Sequence, residues 1–134
     1  MAASRPLPRL NPMNRAFWTA GAQGELRIMH CGSCGHFNHP PQPVCRNCLS
    51  ENVSPAAVPG TGVVDTFTVN HQAWFPELAV PYVIARVALD AAPGVTLTTN
   101  IINCSPEEVA IGDRVRVTFE QHGDIFVPLF EKVS

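Results

Sequence analysis

Lysine is almost missing from this chain: Lys132 stands alone against eight arginines and eleven acidic residues, for a formal net charge of −2 at pH 7. A protein that lives on phosphate backbones needs a basic face, so this balance argues against a nucleic-acid binder. Charged residues of both signs reach only 15% of the 134 positions, while 46% are apolar. That is enough to build a core, and it excludes global disorder. No run of about 18 apolar residues occurs, so no membrane-spanning helix is expected. The opening MAASRPLPRLNPMNR has no apolar segment of the kind a secretory signal needs. Also missing are a nucleophile elbow, a Ser-His-Asp order, a glycine-rich phosphate loop and an HExxH helix. The expectation is a reduced, cytoplasmic protein that is no catalyst on its own.

What is present is concentrated in HCGSCGHFNHPPQPVCRNCL, residues 30–49. Four of the five cysteines lie here as two Cys-x-x-Cys pairs, and the stretch also holds three of the five histidines. Without a signal, such pairs read as metal ligands rather than disulfides. Two facing knuckles would give a tetrahedral site of four thiolates, for which zinc is the default ion. Cys31, Cys34, Cys45 and Cys48 are therefore the expected ligands. Four thiolates leave no open coordination position, so the zinc is expected to be structural, and His30, His36 and His39 to be bystanders. Iron would fit the same thiolates. A thioredoxin-like role is disfavoured by the lack of a βαβ context. Cys104 reads as a small buried residue.

Around that cluster the pattern predicts a mainly β protein. Residues 1–13 read as a flexible arm, 14–54 as a short N-terminal helix plus ribbon, and 55–134 as a five-stranded barrel of the OB type. Asn14 is the expected cap of a helix over Arg15–Ala22, stopped by Gly24. Leu26 and Ile28 share a strand face leading into Cys31. Pro55, Pro59, Gly60 and Gly62 suggest a linker. Beyond it, alternation predicts strands over 63–69, with Asp65 on the apolar face, and over 82–89 and 95–102. Ser105-Pro106-Glu107-Glu108 has the spacing of a capping box. Two last strands follow, with Val115, Val117 and Phe119, then Val127 and Leu129, expected inward. Pro128 marks an edge or a bulge. A small sandwich would satisfy the same alternation.

Two aromatic pairs stand out. Trp74 and Phe75 fall in a long segment, 70–81, where a solvated loop would be polar. It either folds over the barrel mouth or packs on a partner or ligand. Phe17 and Trp18 pose the same choice, on a helix too short to bury them itself.

Phe17-Trp18, Cys31-x-x-Cys34-Gly35, Pro40-Pro41, Cys45-x-x-Cys48, Pro81-Tyr82-Val83-Ile84-Ala85, Ile111-Gly112-Asp113 and Pro128-Leu129-Phe130 recur in that order in the DUF35 family, which the chain resembles from about Asn14 to Val133. The resemblance implies a rubredoxin-like zinc ribbon followed by an OB-fold, in an accessory subunit of an acyl-CoA enzyme complex. The implied partner is a thiolase-like subunit of the sterol-carrier-protein type in a hetero-oligomer, with acyl-CoA at or near the interface. Its reaction would be acyl transfer, thiolysis or retro-aldol cleavage in lipid or steroid side-chain metabolism. Some members instead accompany hotdog-fold enoyl-CoA hydratases. Partner or substrate contact then falls to Phe17, Trp18, His71, Trp74, Phe75 and Tyr82, and catalysis to none of this chain's residues. The second knuckle departs from the family: Arg46 follows its first cysteine where a proline is usual, and Leu49 follows its second where glycine is usual, so a looser knuckle is expected. Arg27, Arg46, Arg114 and Arg116 are the cations left for a CoA phosphate. Two alternatives stand behind this reading: a nucleic-acid module, because ribbons and OB-folds both serve that role, and a lone thioester enzyme using His71 as base.

Overall fold

The computed structural model describes residues 5–76 and 78–133. Eight strands follow a short helix: β1 (Leu26–Cys31), β2 (Phe37–Asn38), β3 (Val53–Val58), β4 (Thr61–Asn70), β5 (Tyr82–Leu89), β6 (Thr96–Ile102), β7 (Arg114–His122) and β8 (Ile125–Lys132). The first three form an antiparallel sheet in the order β2-β1-β3, and the other five a barrel in the order β4-β5-β6-β8-β7. The ring closes where Thr61, Gly62 and Val63 of β4 meet Arg116, Val115 and Arg114 of β7. Gly62 sits where β4 is squeezed between β5 and β7, and a Cβ there would run into the Ala88 carbonyl.

The helix α1 spans Arg15–Thr19 and tightens into a 3-10 turn at Ala20–Gln23. Gly24 stops it at φ 71°, donating its N–H to the Ala20 and Gly21 carbonyls. Asn14 does not cap the helix as expected. It is already in a helical conformation, and its side chain is committed to Asn11: each accepts the other's backbone N–H at 2.8 Å. From Arg5 onward the arm is tied down. Arg5 donates to Glu120 at 2.7 Å and to Asn100 at 2.9 Å, and His122 lies 2.7 Å from the same Glu120 carboxylate.

The stretch expected as a linker is a strand. All of β3 pairs with β1, from Leu26↔Val58 to Cys31↔Val53. Its proline, Pro55, is tolerated because β3 is an edge strand of that sheet.

Asp65 does not face the core. The ladder between β4 and β5 shifts register between Val64 and Thr66, the signature of a bulge. The extra residue flips the strand's phase. Val64 is buried before it, Phe67 and Val69 turn inward after it, and Asp65 is left in solvent.

β8 also departs from simple alternation. Phe130 is fully buried within the barrel core, whereas Leu129, expected inward, is buried outside that cluster. Both faces are covered because α1 and the 3-10 turn pack against β8. The capping box is as expected: Ser105 N–H and Oγ both reach the Glu108 carboxylate, at 2.9 and 3.1 Å.

One core serves both sheets. Phe17 from α1 and Leu26 and Ile28 from β1 belong to the same buried cluster as Val64, Val83, Val87, Leu97, Val115 and Phe130 of the barrel.

Candidate metal centre and adjoining cleft

The two cysteine knuckles are built on the end of β1 and on the turn after β2. Cys31 and Cys45 are fully buried, while Cys34 and Cys48 are exposed. All four sulfurs lie within 4.8 Å of one another. Cys34 N–H donates to Cys31 Sγ at 3.4 Å, and Asn47 N–H to Cys45 Sγ at 3.4 Å. The knuckle turns close through Gly35 N–H to the Cys31 carbonyl and Leu49 N–H to the Cys45 carbonyl, both at 2.9 Å. No histidine joins the cluster among the described residues. His30 packs at a tilt against Phe37, and His39 at a tilt against Phe17, with ring centroids 4.7 and 4.9 Å apart.

Electrostatics explain why this cluster needs a cation. Burial opposes ionisation of Cys45, yet the N–H groups of Cys48 and Asn47 bring it down to about 6. Cys48 has help from the Ser50 N–H, but burial and the other three cysteines push it up to about 12. Cys48 is therefore held as a thiol at neutral pH until a metal ion sits beside it. A soft, four-sulfur, closed donor set fits structural zinc.

The second knuckle closes with the same hydrogen bond as the first, but with leucine where the first has Gly35. Leu49 adopts φ 65°, a left-handed conformation that its side chain disfavours. It is 74% exposed, so the side chain gains nothing from packing. Leu49→Gly is expected to raise stability by up to about 1 kcal/mol, read as a higher urea midpoint of the zinc-loaded protein at unchanged slope.

Beside the ribbon, β6 and β8 run parallel but pair only at Ile101↔Phe130 and Ile102↔Glu131. Their other ends diverge, and a cleft of about 710 Å³ opens between them, within the range of small-molecule sites. Trp18, Pro40, Pro128 and Leu97 line it, with Arg5 and Asn100 at its polar side. Thr99 Oγ1 reaches across the gap to the Pro128 carbonyl at 3.0 Å. His39 is part of the same wall. Burial holds it below the usual imidazole range, and its Nδ1 has no hydrogen-bond partner among the described residues.

The residues singled out from the sequence do not converge on one site. Phe17 is buried in the core, and Trp18 meets it edge-on at 4.9 Å with one side on the cleft. Trp74 and Phe75 are 69% and 42% exposed on the β4–β5 loop and take no part in that cleft. His71 is exposed at the start of the same loop, and Tyr82 opens β5 half-buried opposite Asn70. Three of the four candidate cations are neutralised: Arg27 by Glu25, Arg114 by Asp90 and Arg116 by Glu131. Arg46 has no carboxylate partner among the described residues. Sequence reasoning missed the cleft, because a two-residue parallel contact leaves no trace in an alternation pattern. No described helix is long and apolar enough to cross a membrane.

Comparison with known proteins agrees with this architecture. Residues 18–54 match the family described as ChsH2, rubredoxin-like zinc ribbon domain, and residues 56–120 match ChsH2, C-terminal OB-fold domain. The chain is 33% identical over 96% of its length to a probable enoyl-CoA hydratase alpha subunit of Thermomonospora curvata, of which it spans only 40%. It is 33% identical to a DUF35 domain-containing scaffold protein of Methanocaldococcus jannaschii, with 69% of this chain and 66% of that one aligned. A solved structure described as Ltp2-ChsH2(DUF35) aldolase contains a chain that superposes with a TM-score of 0.84 at 31% identity, covering 94% of this chain and 98% of that one. The chain thus belongs to the DUF35 family, in the ChsH2 form that joins a rubredoxin-like zinc ribbon to an OB-fold.

Proposed function

We propose that this chain is a non-catalytic scaffold subunit of a thiolase-fold acyl-CoA enzyme, which it stabilises and whose acyl-CoA access it helps to shape. The observation that carries the reading is the match, over 94% of this chain, with a chain of the structure described as Ltp2-ChsH2(DUF35) aldolase. One feature of the chain supports it: Trp74 and Phe75 are held in solvent on a barrel loop, a composition suited to the centre of a protein interface. In this reading Trp74 and Phe75, flanked by His71 and Tyr82, meet the partner subunit. Phe17 and Trp18 shape the neighbouring cleft. The reaction is acyl transfer, thiolysis or retro-aldol cleavage, and the partner supplies its catalytic groups.

A second reading, service to a hotdog-fold hydratase, is favoured by the hydratase alpha subunit aligned along 96% of this chain. Co-expression with a thiolase-like subunit and, separately, with a hotdog-fold subunit distinguishes the two by which one co-purifies. Replacing both Trp74 and Phe75 by alanine is expected to raise the Kd of that complex at least about 100-fold, roughly 3 kcal/mol. The variant should still fold, because neither ring is buried in the free chain. An unchanged Kd would take the loop out of the interface. Failure of both subunits to associate would end the scaffold reading.

A further inference from the structure

Asn47 sits at the tip of the second knuckle and performs two separate tasks with two different N–H groups. Its backbone N–H donates to Cys45 within its own knuckle. Its side-chain amide Nδ2 lies 3.5 Å from Sγ of Cys34, on the opposite knuckle. A thiolate only accepts, so the amide must present its nitrogen to that sulfur. Cys34 is one of the two exposed cysteines of the site. The knuckle carrying Asn47 is itself fixed from below. Buried Asn38 of β2 accepts the Arg46 N–H on Oδ1 at 2.9 Å. The Ser33 and Ser50 hydroxyls, 3.0 Å apart, make a second bridge between the two knuckles.

From this geometry we infer that Asn47 is a positioning residue for the bound metal: its amide ties the second knuckle to the Cys34 thiolate of the first, disperses charge on that exposed sulfur and slows loss of the ion. Hydrogen bonds behind metal ligands orient them and set their electron density, and their removal typically lowers metal affinity roughly 10- to 100-fold. The role suits a knuckle that has leucine at its glycine position. Its left-handed turn is strained, and the crossing amide bond holds it against its neighbour.

The test uses the full chain loaded with Co2+, whose sulfur-to-cobalt charge-transfer band reports the electron density on the thiolates, together with the rate of Zn2+ transfer to a chelator. Asn47→Leu removes the donor at similar size and is expected to shift the band to lower energy and to speed zinc transfer at least about 10-fold. The tetrahedral ligand-field bands and the far-ultraviolet dichroism should stay unchanged. Asn47→Gln retains an amide and is expected to recover part of both effects. A band and a transfer rate in Asn47→Leu within twofold of the parent would overturn the assignment. So would equal behaviour of the Leu and Gln variants, which would point to loss of shape rather than of a donor.

Discussion

Removing the metal, by chelation or by Cys31→Ser, is expected to unfold far more than the ribbon. Zinc bound by small cysteine-rich units contributes on the order of 10 kcal/mol of folding free energy, against roughly 5–15 kcal/mol for the whole of a typical domain. Those magnitudes alone predict loss of the β1-β2-β3 sheet. The shared core carries the damage onward. Leu26 and Ile28, 1% and 0% exposed, belong to a cluster whose other members, apart from Phe17 of α1, come from the barrel strands and their connections. If β1 frays, those barrel residues face water. Hydrogen exchange before and after chelation checks this directly: amides of Val83 and Val87 in β5 should lose protection along with those of β1. Barrel amides that kept full protection in the metal-free chain would show that the two sheets fold independently.

The second large effect is expected at Phe130. Its ring is completely buried, and its backbone sits in the short seam, opposite Ile101 on one side and Val117 on the other. Phe130→Ala removes the largest fully buried side chain and leaves a cavity where β6 and β8 have almost no ladder to hold them together. A loss of about 3–5 kcal/mol is expected from the transfer and cavity contributions combined. Urea unfolding of the zinc-loaded protein measures it. Phe126→Ala, at a half-buried position on the same strand, should cost clearly less. A change below about 1 kcal/mol at Phe130 would mean that the barrel interior is not organised around this ring.

What the sequence disclosed follows from what kind of physics each feature depends on. The metal ligands were legible because side-chain identity and spacing alone define a four-thiolate site. β5 and β6 were legible because each buries one face, so Val83, Ala85, Val87 and Leu89, then Val95, Leu97, Thr99 and Ile101, alternate cleanly. β3 was not, because an edge strand tolerates a proline that a central strand would reject. Asp65 looked like a core residue only because alternation was continued through a bulge. In β8 the inward phase was misplaced by one residue, since a strand buried on both faces has no polar side to betray it. The β6–β8 cleft and the tethered arm depend on contacts between distant segments, and no local window of the sequence contains them.

The tether has one more consequence, for the order in which the molecule can be made. Arg5 and Glu120, hydrogen-bonded through the Arg5 guanidinium, are 115 residues apart, and α1 rests on β8, the last strand. A ribosome delivers the N-terminal end of that contact early and its C-terminal end late. Until β8 emerges from the exit tunnel, α1 lacks one of the two strands it packs on and β6 lacks its second neighbour. The nascent chain must therefore carry a half-covered aromatic helix and, on β6, an open row of backbone donors and acceptors. That makes the interval before β8 emerges the period in which this protein is most exposed to aggregation or chaperone capture.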